Sequence, residues 1–189
     1  MTNAKLLSLI SLFMMAFLLI TPLSLDAQQE WITFQADDNL PFSIEVPAVM
    51  GVKNKTITTQ IGDLSNTTYA LERNEDESPN FLYMVTMIDY PQGVFDPDSI
   101  ELIDTYLTES ISSLADGVNG EVLYQTDIKE DKNGRGKLFR LRYDEEYMII
   151  KGKTFIKNDV FITVQVYTTK DKSLNDEMDV FLDSFEIRE

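Results

Sequence analysis

The sequence predicts an α+β fold in which helices flank a mainly antiparallel β-sheet. Three observations predict it. Most segments between turn signals alternate apolar and polar residues with the period of a strand. Two other segments place apolar residues at helical spacing. The predicted strands follow one another through short turns, and short turns join antiparallel neighbours.

The alternation is clearest in FSIEVP, residues 42–47, where Phe42, Ile44 and Val46 share one face and Pro47 ends the strand. Two more strands are expected in segments rich in Thr and β-branched residues. Another segment is apolar on both faces, which predicts a central strand covered on both sides. The two Thr-rich strands are residues 55–61 and 67–72, with a turn at 62–66; the central strand is 81–90, after an acidic loop at 73–80.

The first helix is predicted near mid-chain. Asp96 is the expected N-cap, with Pro97 at the first helical position. Gly117 is the expected C-cap. The apolar stripe of this helix consists of Ile100, Ile103, Leu107, Ile111 and Leu114.

The second half predicts four strands and a closing helix. The strands are residues 121–129, 137–144, 147–156 and 160–167, with Gly152 as a point where the third could break and residues 157–159 as a turn. The helix opens near Ser173, and residues 185–189 form a short tail. Its buried stripe is Leu174, Met178, Phe181, Leu182 and Phe185; its water-facing acids are Asp176, Glu177, Asp179 and Asp183.

The glycine-rich stretch DKNGRGKLF, residues 131–139, invites comparison with a phosphate-binding loop. Such a loop opens onto a helix N-terminus, where the amides and the dipole favour an anion. Here Gly134 and Gly136 lie between two predicted strands. Asn133-Gly134 is a common hairpin signal because both residues tolerate positive φ. The stretch is therefore predicted to be a hairpin turn.

The N-terminus has the pattern of an export signal. Lys5 precedes an apolar run at residues 6–20, which is shorter than the roughly 20 residues of a membrane-spanning helix. Residues 1–27 are the predicted signal peptide, with cleavage after Ala27; without cleavage the segment would serve as an anchor. Residues 28–189 are then a single domain with no membrane span, in the periplasm or secreted.

Composition excludes several classes of function. The net charge is −16, and signal removal takes away only Lys5 and Asp26, so a nucleic-acid partner is not expected. The chain has no Cys, so it cannot form disulfides or carry the lipid of a lipoprotein. It also has no His, which excludes Ser-His-Asp triads and ordinary zinc, haem or iron–sulfur sites. No cofactor is expected.

The order of the predicted elements, with FSIEVP early and FLDSFEI at residues 181–187, resembles the PsbP-like family. This family is named for an extrinsic subunit of the photosynthetic oxygen-evolving complex, and the resemblance spans residues 31–189. It implies an α/β/α sandwich and an accessory or binding role. Metal-assisting roles in photosynthetic members involve histidines, among other residues, so that role is not implied for this chain.

The residues left for chemistry are mainly carboxylates and aromatics. Residues 74–78 and 95–101 could offer oxygen ligands to Ca²⁺, although a solvated loop and helix capping explain them as well. A pair of carboxylates could serve a hydrolase only if they face each other across a cleft. Trp31 is expected to pack on the core, or else to line a groove. Tyr143 and Tyr147 flank acidic residues 144–146, a pattern that suits a partner surface.

These observations favour an exported, non-catalytic accessory or binding module that acts through an unknown protein partner. The alternatives are a periplasmic carrier of a small apolar ligand or Ca²⁺, and a carboxylate-dependent hydrolase. The sequence predicts no catalytic residue and no metal-ligating residue, and it leaves any ligand-binding residues unknown.

Overall fold

The computed structural model describes residues 30–37, 40–74, 76, 78–145 and 147–188. The predicted signal peptide, its cleavage point and Glu75, Glu77 and Glu146 lie outside these residues. From Trp31 onward the chain forms one compact unit. Its elements are β1 Ile32–Ala36, β2 Phe42–Val46, β3 Gly51–Thr59, β4 Gly62–Glu72, β5 Asn80–Asp89, α1 Ile100–Gly117, β6 Glu121–Asp131, β7 Gly134–Tyr143, β8 Met148–Lys157, β9 Val160–Thr169, α2 Asp176–Ser184 and β10 Glu186–Ile187.

The strands form two antiparallel sheets, which confirms the predicted α+β class. The larger sheet has the order β3-β4-β5-β9-β8-β7-β6, and the smaller has the order β1-β2-β10. Every strand pair in both sheets is antiparallel. The hairpin signals of the sequence therefore produce the expected strand direction.

The two faces of the large sheet carry different partners. Along β9, Val160, Ile162, Val164 and Val166 pack into a core with α2 and the small sheet. The alternate residue Phe161 packs instead with α1. Because successive side chains of a strand point to opposite faces, the two helices lie on opposite sides of the sheet. We call these the α1 face and the α2 face.

Aromatic side chains fill the centre of the α2 face. Phe42 of β2 contacts Tyr69 with ring centroids 5.1 Å apart and Phe185 at 5.4 Å, and Phe155 stacks on Phe185 at 6.0 Å. Phe42, Ile44 and Val46 are all buried, as the alternation of FSIEVP predicts. Burial of each such side chain stabilises the fold by about 1.5–3 kcal/mol.

Helix α1 begins at Ile100, so the prediction of Asp96 as its N-cap is wrong. The Asp96 carboxylate accepts a hydrogen bond from the Asp98 backbone N–H at 2.9 Å and closes a turn before the helix. Ser99 is the N-cap, and Ile100 is exposed rather than buried. At the other end Gly117 is the last helical residue. Asn119, with a φ of 50°, takes the left-handed position expected of a C-cap glycine.

The turn predicted at residues 62–66 is wrong, because these residues begin β4. The chain reverses at residues 60–61, and Thr59 pairs directly with Gly62. Gly62 has a φ of 119°, which glycine adopts without strain. The glycine thus marks the residue after the turn rather than the turn itself.

The Asn133-Gly134 hairpin is confirmed, shifted by one residue. Residues 132–133 form the turn, and Gly134, with a φ of 95°, begins β7. A Cβ on Gly134 would lie 2.2 Å from the carbonyl oxygen of Ile156. Strands flank the turn on both sides, so the features of a helix-terminal phosphate site are missing from this stretch.

Strand β8 runs through Gly152 without a break. A Cβ there would lie 2.6 Å from Cζ of Phe139 on the neighbouring strand and 2.7 Å from the carbonyl oxygen of Val164. Glycine at this position therefore admits the Phe139 ring, which is fully buried.

Strand β5 is central in the sheet, as predicted, but it is not covered equally on both sides. Tyr83, Val85 and Met87 are buried on the α2 face, whereas the alternate residues are half-buried. Helix α1 contacts β6, β7 and β8 and makes no comparable contacts with β5. The α1 face of the sheet is thus open on one side of the helix.

The closing helix begins at Asp176, later than predicted. The side chain of Asn175, rather than Ser173, caps it by accepting a hydrogen bond from the Met178 N–H at 2.9 Å. Leu174 therefore lies outside the helix and is exposed. The predicted tail includes β10, whose Ile187 pairs with Phe42 of β2. Strand β1 was not predicted.

Candidate interaction surface

An exposed corner of the α2 face combines a guanidinium with apolar and aromatic side chains. It consists of Tyr124 in β6, Arg140 in β7, and Ser173 and Leu174 in the segment before α2; we call it the Arg140 corner. The register shift between Val122 and Tyr124 places Tyr124 directly opposite Arg140. Since directly paired residues project to the same side, both side chains belong to one face.

Arg140 is held by a serine rather than by a carboxylate. Its Nη2 donates a hydrogen bond to Oγ of Ser173 at 2.7 Å, and Ser173 Oγ donates to the carbonyl of Lys170 at 2.7 Å. The Nε atom is buried and has no hydrogen-bond partner in the described part of the chain. A buried donor without a partner costs about 1–3 kcal/mol.

Neighbouring cations on the same face are arranged differently. Each of them pairs with a carboxylate, whereas no carboxylate of the described residues lies within ion-pair distance of Arg140. The pairs are Arg142 with Glu121 at 2.7 Å, Lys151 with Asp179 at 2.5 Å, and Lys153 with Asp183 at 2.6 Å. The positive charge of Arg140 is therefore available to an external anion.

Leu174 is 90% exposed, the highest value among the large apolar side chains of the described residues. The sequence predicted it in the buried stripe of α2. Because Asn175 caps the helix, Leu174 falls before the first turn and leaves the helical stripe. Ser173, the preceding residue, binds Arg140, so the exposed leucine directly follows the residue that holds the guanidinium.

The charge of this corner differs from that of the whole protein. Arg140 is the residue of the Arg140 corner that is charged at neutral pH, and it is positive in a chain of net charge −16. Complementary charge steers association and selects partners. The corner is thus suited to an acidic group on another molecule.

The aromatic pair predicted around residues 144–146 does not form one patch. Tyr143 packs against the core under α1, whereas Tyr147 is exposed in the turn between β7 and β8. Positive φ values at Asp144 (53°) and Glu145 (51°) make this a tight turn. Trp31 packs edge-on to Tyr83 with centroids 6.1 Å apart, as expected of a residue on the core.

Several of the acidic side chains described by the structure have protein partners. Asp96 closes the turn before α1, and Asp179 and Asp183, two of the four acids predicted to face water, bind lysines. Another, Glu177, accepts a hydrogen bond from the Tyr83 hydroxyl at 2.8 Å. Within the described residues no group of three or more acidic side chains is placed to hold a metal ion. Of the first calcium candidate, residues 74–78, Glu75 and Glu77 lie outside the described residues.

The buried tyrosines are structural in this arrangement. Burial raises the pKa of Tyr83 and Tyr106 above the ordinary value, and it raises the pKa of Tyr167 to about 12. Tyrosines with a raised pKa stay protonated at neutral pH and donate hydrogen bonds. Tyr83, for example, joins Ser78 and Asn80 in a buried network.

Sequence reasoning missed Arg140 as a functional candidate. Its position in the alternating segment KLFRLRY shows only that it faces away from Phe139 and Leu141. The sequence does not show whether a carboxylate pairs with Arg140, because that depends on which residues the fold brings near it. The exposure of Leu174 likewise depends on the choice of the N-cap.

No helix in the described part of the chain is both long and apolar enough to span a membrane. The sequence matches no protein-family model, and no curated protein is significantly similar to it. In structure, the chain is similar to cyanobacterial PsbP (CyanoP) from Synechocystis sp. PCC 6803, with a TM-score of 0.41 and 9% sequence identity. The match covers 75% of this chain and 95% of that one. At this level the likeness concerns the arrangement of strands and helices alone.

Proposed function

We propose that this protein is an exported, non-catalytic accessory module of the cell envelope that binds a protein partner through the Arg140 corner. The observation that carries the proposal is that Ser173 binds Arg140 and directly precedes Leu174, so one short segment connects two groups that can still contact a partner. One is the guanidinium of Arg140, which forms no ion pair with a carboxylate of the described residues and is bound by Ser173 instead. The other is Leu174, which is 90% exposed.

The chemistry of the corner defines the partner. Arginine and tyrosine are enriched among the residues that dominate binding energy at interfaces. Here Arg140 and Tyr124 face the same side, and Leu174 directly follows Ser173, which binds Arg140. A matching protein surface presents a carboxylate to Arg140 and an apolar socket to Leu174. The export pattern of residues 1–27 supports a partner in the envelope, and the element order supports membership in the PsbP-like family.

The test is a comparative cross-linked capture from the envelope of the native host, followed by mass spectrometry. The baits are the protein as the host makes it, Leu174→Ser, and the control Leu102→Ser. Leu102 is 56% exposed on α1, so the control removes an exposed leucine at a distant site. We expect one reproducible partner whose recovery falls about tenfold with Leu174→Ser, because burying one leucine contributes about 1.5–3 kcal/mol.

The control must recover that partner as well as the unaltered bait does. Equal recovery with Leu174→Ser and Leu102→Ser would contradict binding of the partner through the Arg140 corner. Recovery of no partner by a folded, abundant bait would contradict the binding function itself. Thermal unfolding of each bait checks that the substitutions leave the fold intact.

A further inference from the structure

A pocket of about 260 Å³ lies between α1 and the large sheet, at the side of the helix where the α1 face is open. Its walls are mainly apolar and come from both elements. It exists because the helix turns two small residues, Ser110 and Ser113, toward this part of the sheet. The apolar lining residues are Ile111, Leu114, Phe139 and Phe161.

Two polar side chains of β9 line the floor of this pocket. Thr163 is 8% exposed and Gln165 is 4% exposed, so both are more than nine-tenths buried. The hydroxyl of Tyr167 donates to Oε1 of Gln165 at 3.1 Å. That bond orients the carboxamide and leaves its Nε2 donor without a hydrogen-bond partner among the described residues. The hydroxyl of Thr163 is likewise unbonded within them.

We infer that this pocket binds an uncharged small molecule with a flat apolar body and one hydrogen-bonding oxygen. The apolar walls suit the body, while Gln165 Nε2 and Thr163 Oγ1 suit the oxygen. The volume exceeds the roughly 150 Å³ of a dry apolar cavity that admits benzene, so a two-ring body fits.

The lining also selects against charge. None of the described residues that line the pocket is ionisable. A carboxylate or ammonium group buried there would lose its hydration without gaining a counter-charge, which is strongly unfavourable. The preference for a neutral ligand distinguishes this pocket from the cationic Arg140 corner, which lies on the other face of the sheet.

Calorimetric titration of the protein isolated from its host tests the inference, with 2-naphthol as the neutral probe and 2-naphthoate as the charged one. We expect saturable 1:1 binding of 2-naphthol, and binding of 2-naphthoate weakened at least about tenfold. Gln165→Met should weaken 2-naphthol binding about fivefold, the effect of one hydrogen bond.

A matched pair of variants locates the site. Ser112 and Ser113 are adjacent and exposed, but only Ser113 lines the pocket. Ser113→Trp should fill the pocket and reduce 2-naphthol affinity at least about tenfold, whereas Ser112→Trp should leave it unchanged. Lack of saturable binding, equal effects of the two tryptophans, or tighter binding of 2-naphthoate would each overturn the inference.

Discussion

Asn133, in the turn between β6 and β7, holds the C-terminal strand through Ile187. Its Oδ1 accepts a hydrogen bond from the Ile187 N–H at 2.8 Å, and its Nδ2 donates to the carbonyl of Phe185 at 3.1 Å. The side chain is buried. One asparagine thus satisfies the backbone acceptor just before β10 and a backbone donor within it.

Asn133→Ala should therefore lower the free energy of unfolding by about 2–3 kcal/mol, because both backbone groups stay buried without a partner. Urea denaturation measures the change. The control is Lys132→Ala in the same turn, which removes only an exposed ion pair with Glu186 and should cost less than about 1 kcal/mol. A loss for Asn133→Ala no larger than that of the control would contradict the stabilising role of the two Asn133 hydrogen bonds.

Gly152→Ala should destabilise the protein by about 1–3 kcal/mol, since the added methyl overlaps the Phe139 ring and the Val164 carbonyl. Gly117→Ala, at the end of α1, offers the opposite case. A Cβ there meets nothing within 4 Å, and alanine favours the helix by roughly 0.5–1 kcal/mol. The midpoints of thermal and urea unfolding should fall for Gly152→Ala and rise for Gly117→Ala. No destabilisation by Gly152→Ala would show that the packing at Gly152 is misassigned.

The pH dependence of the free energy of unfolding should reveal the ion pair between Asp104 of α1 and Arg135 of β7. Two hydrogen bonds of 2.6 Å from Arg135 hold the pKa of Asp104 below its usual value. A depressed pKa gives stability that is present above the unfolded-state pKa of about 4 and is lost as the pH falls through the folded-state value.

Asp104→Asn should accordingly cost about 1 kcal/mol at pH 7, and the difference from the unaltered protein should shrink as the pH falls below about 4. Urea denaturation over roughly pH 2.5–7 measures this difference in the free energy of unfolding. Glu109→Gln, on the same helix, is the control, because Glu109 is exposed and forms no ion pair within the described chain. A cost for Asp104→Asn that is independent of pH would contradict the assignment.

Export predicts a processed N-terminus. Protein recovered from the host envelope should begin at Gln28, because Ala27 precedes the predicted cleavage point. Intact mass spectrometry of the fractionated host provides the measurement. A chain that retains Met1 in the membrane fraction would indicate an uncleaved anchor, and a chain that retains Met1 in the cytosol would contradict export.

The sequence predicted the elements whose periodicity reflects burial. The strand at Phe42 and the helical spacing of Ile103, Leu107 and Ile111 are examples. Strand β1 was missed because its residues are largely exposed and show no clear alternation, and β10 because two residues carry no period. Helix starts were misplaced because several nearby polar residues can cap, and tertiary contacts select among them.

The candidate site was less accessible to sequence reasoning. A strand pattern shows that Arg140 faces away from the apolar side chains beside it, but not which carboxylates come near. Leu174 matches the helical stripe, and only the cap at Asn175 removes it. The pocket under α1 is lined by Ser113 from the helix and Thr163 from the sheet, a relationship with no local signature.

Site-specific photo-cross-linking in living host cells tests binding through the Arg140 corner most directly. A photoreactive amino acid is placed at position 174 or, as the control, at position 102. We predict one discrete adduct from position 174 and none of that mass from position 102. Arg140→Gln should reduce the adduct about tenfold, since a desolvated charged hydrogen bond contributes more than about 1.5 kcal/mol. Absence of the adduct, or an adduct unaffected by Arg140→Gln, would contradict binding through the Arg140 corner.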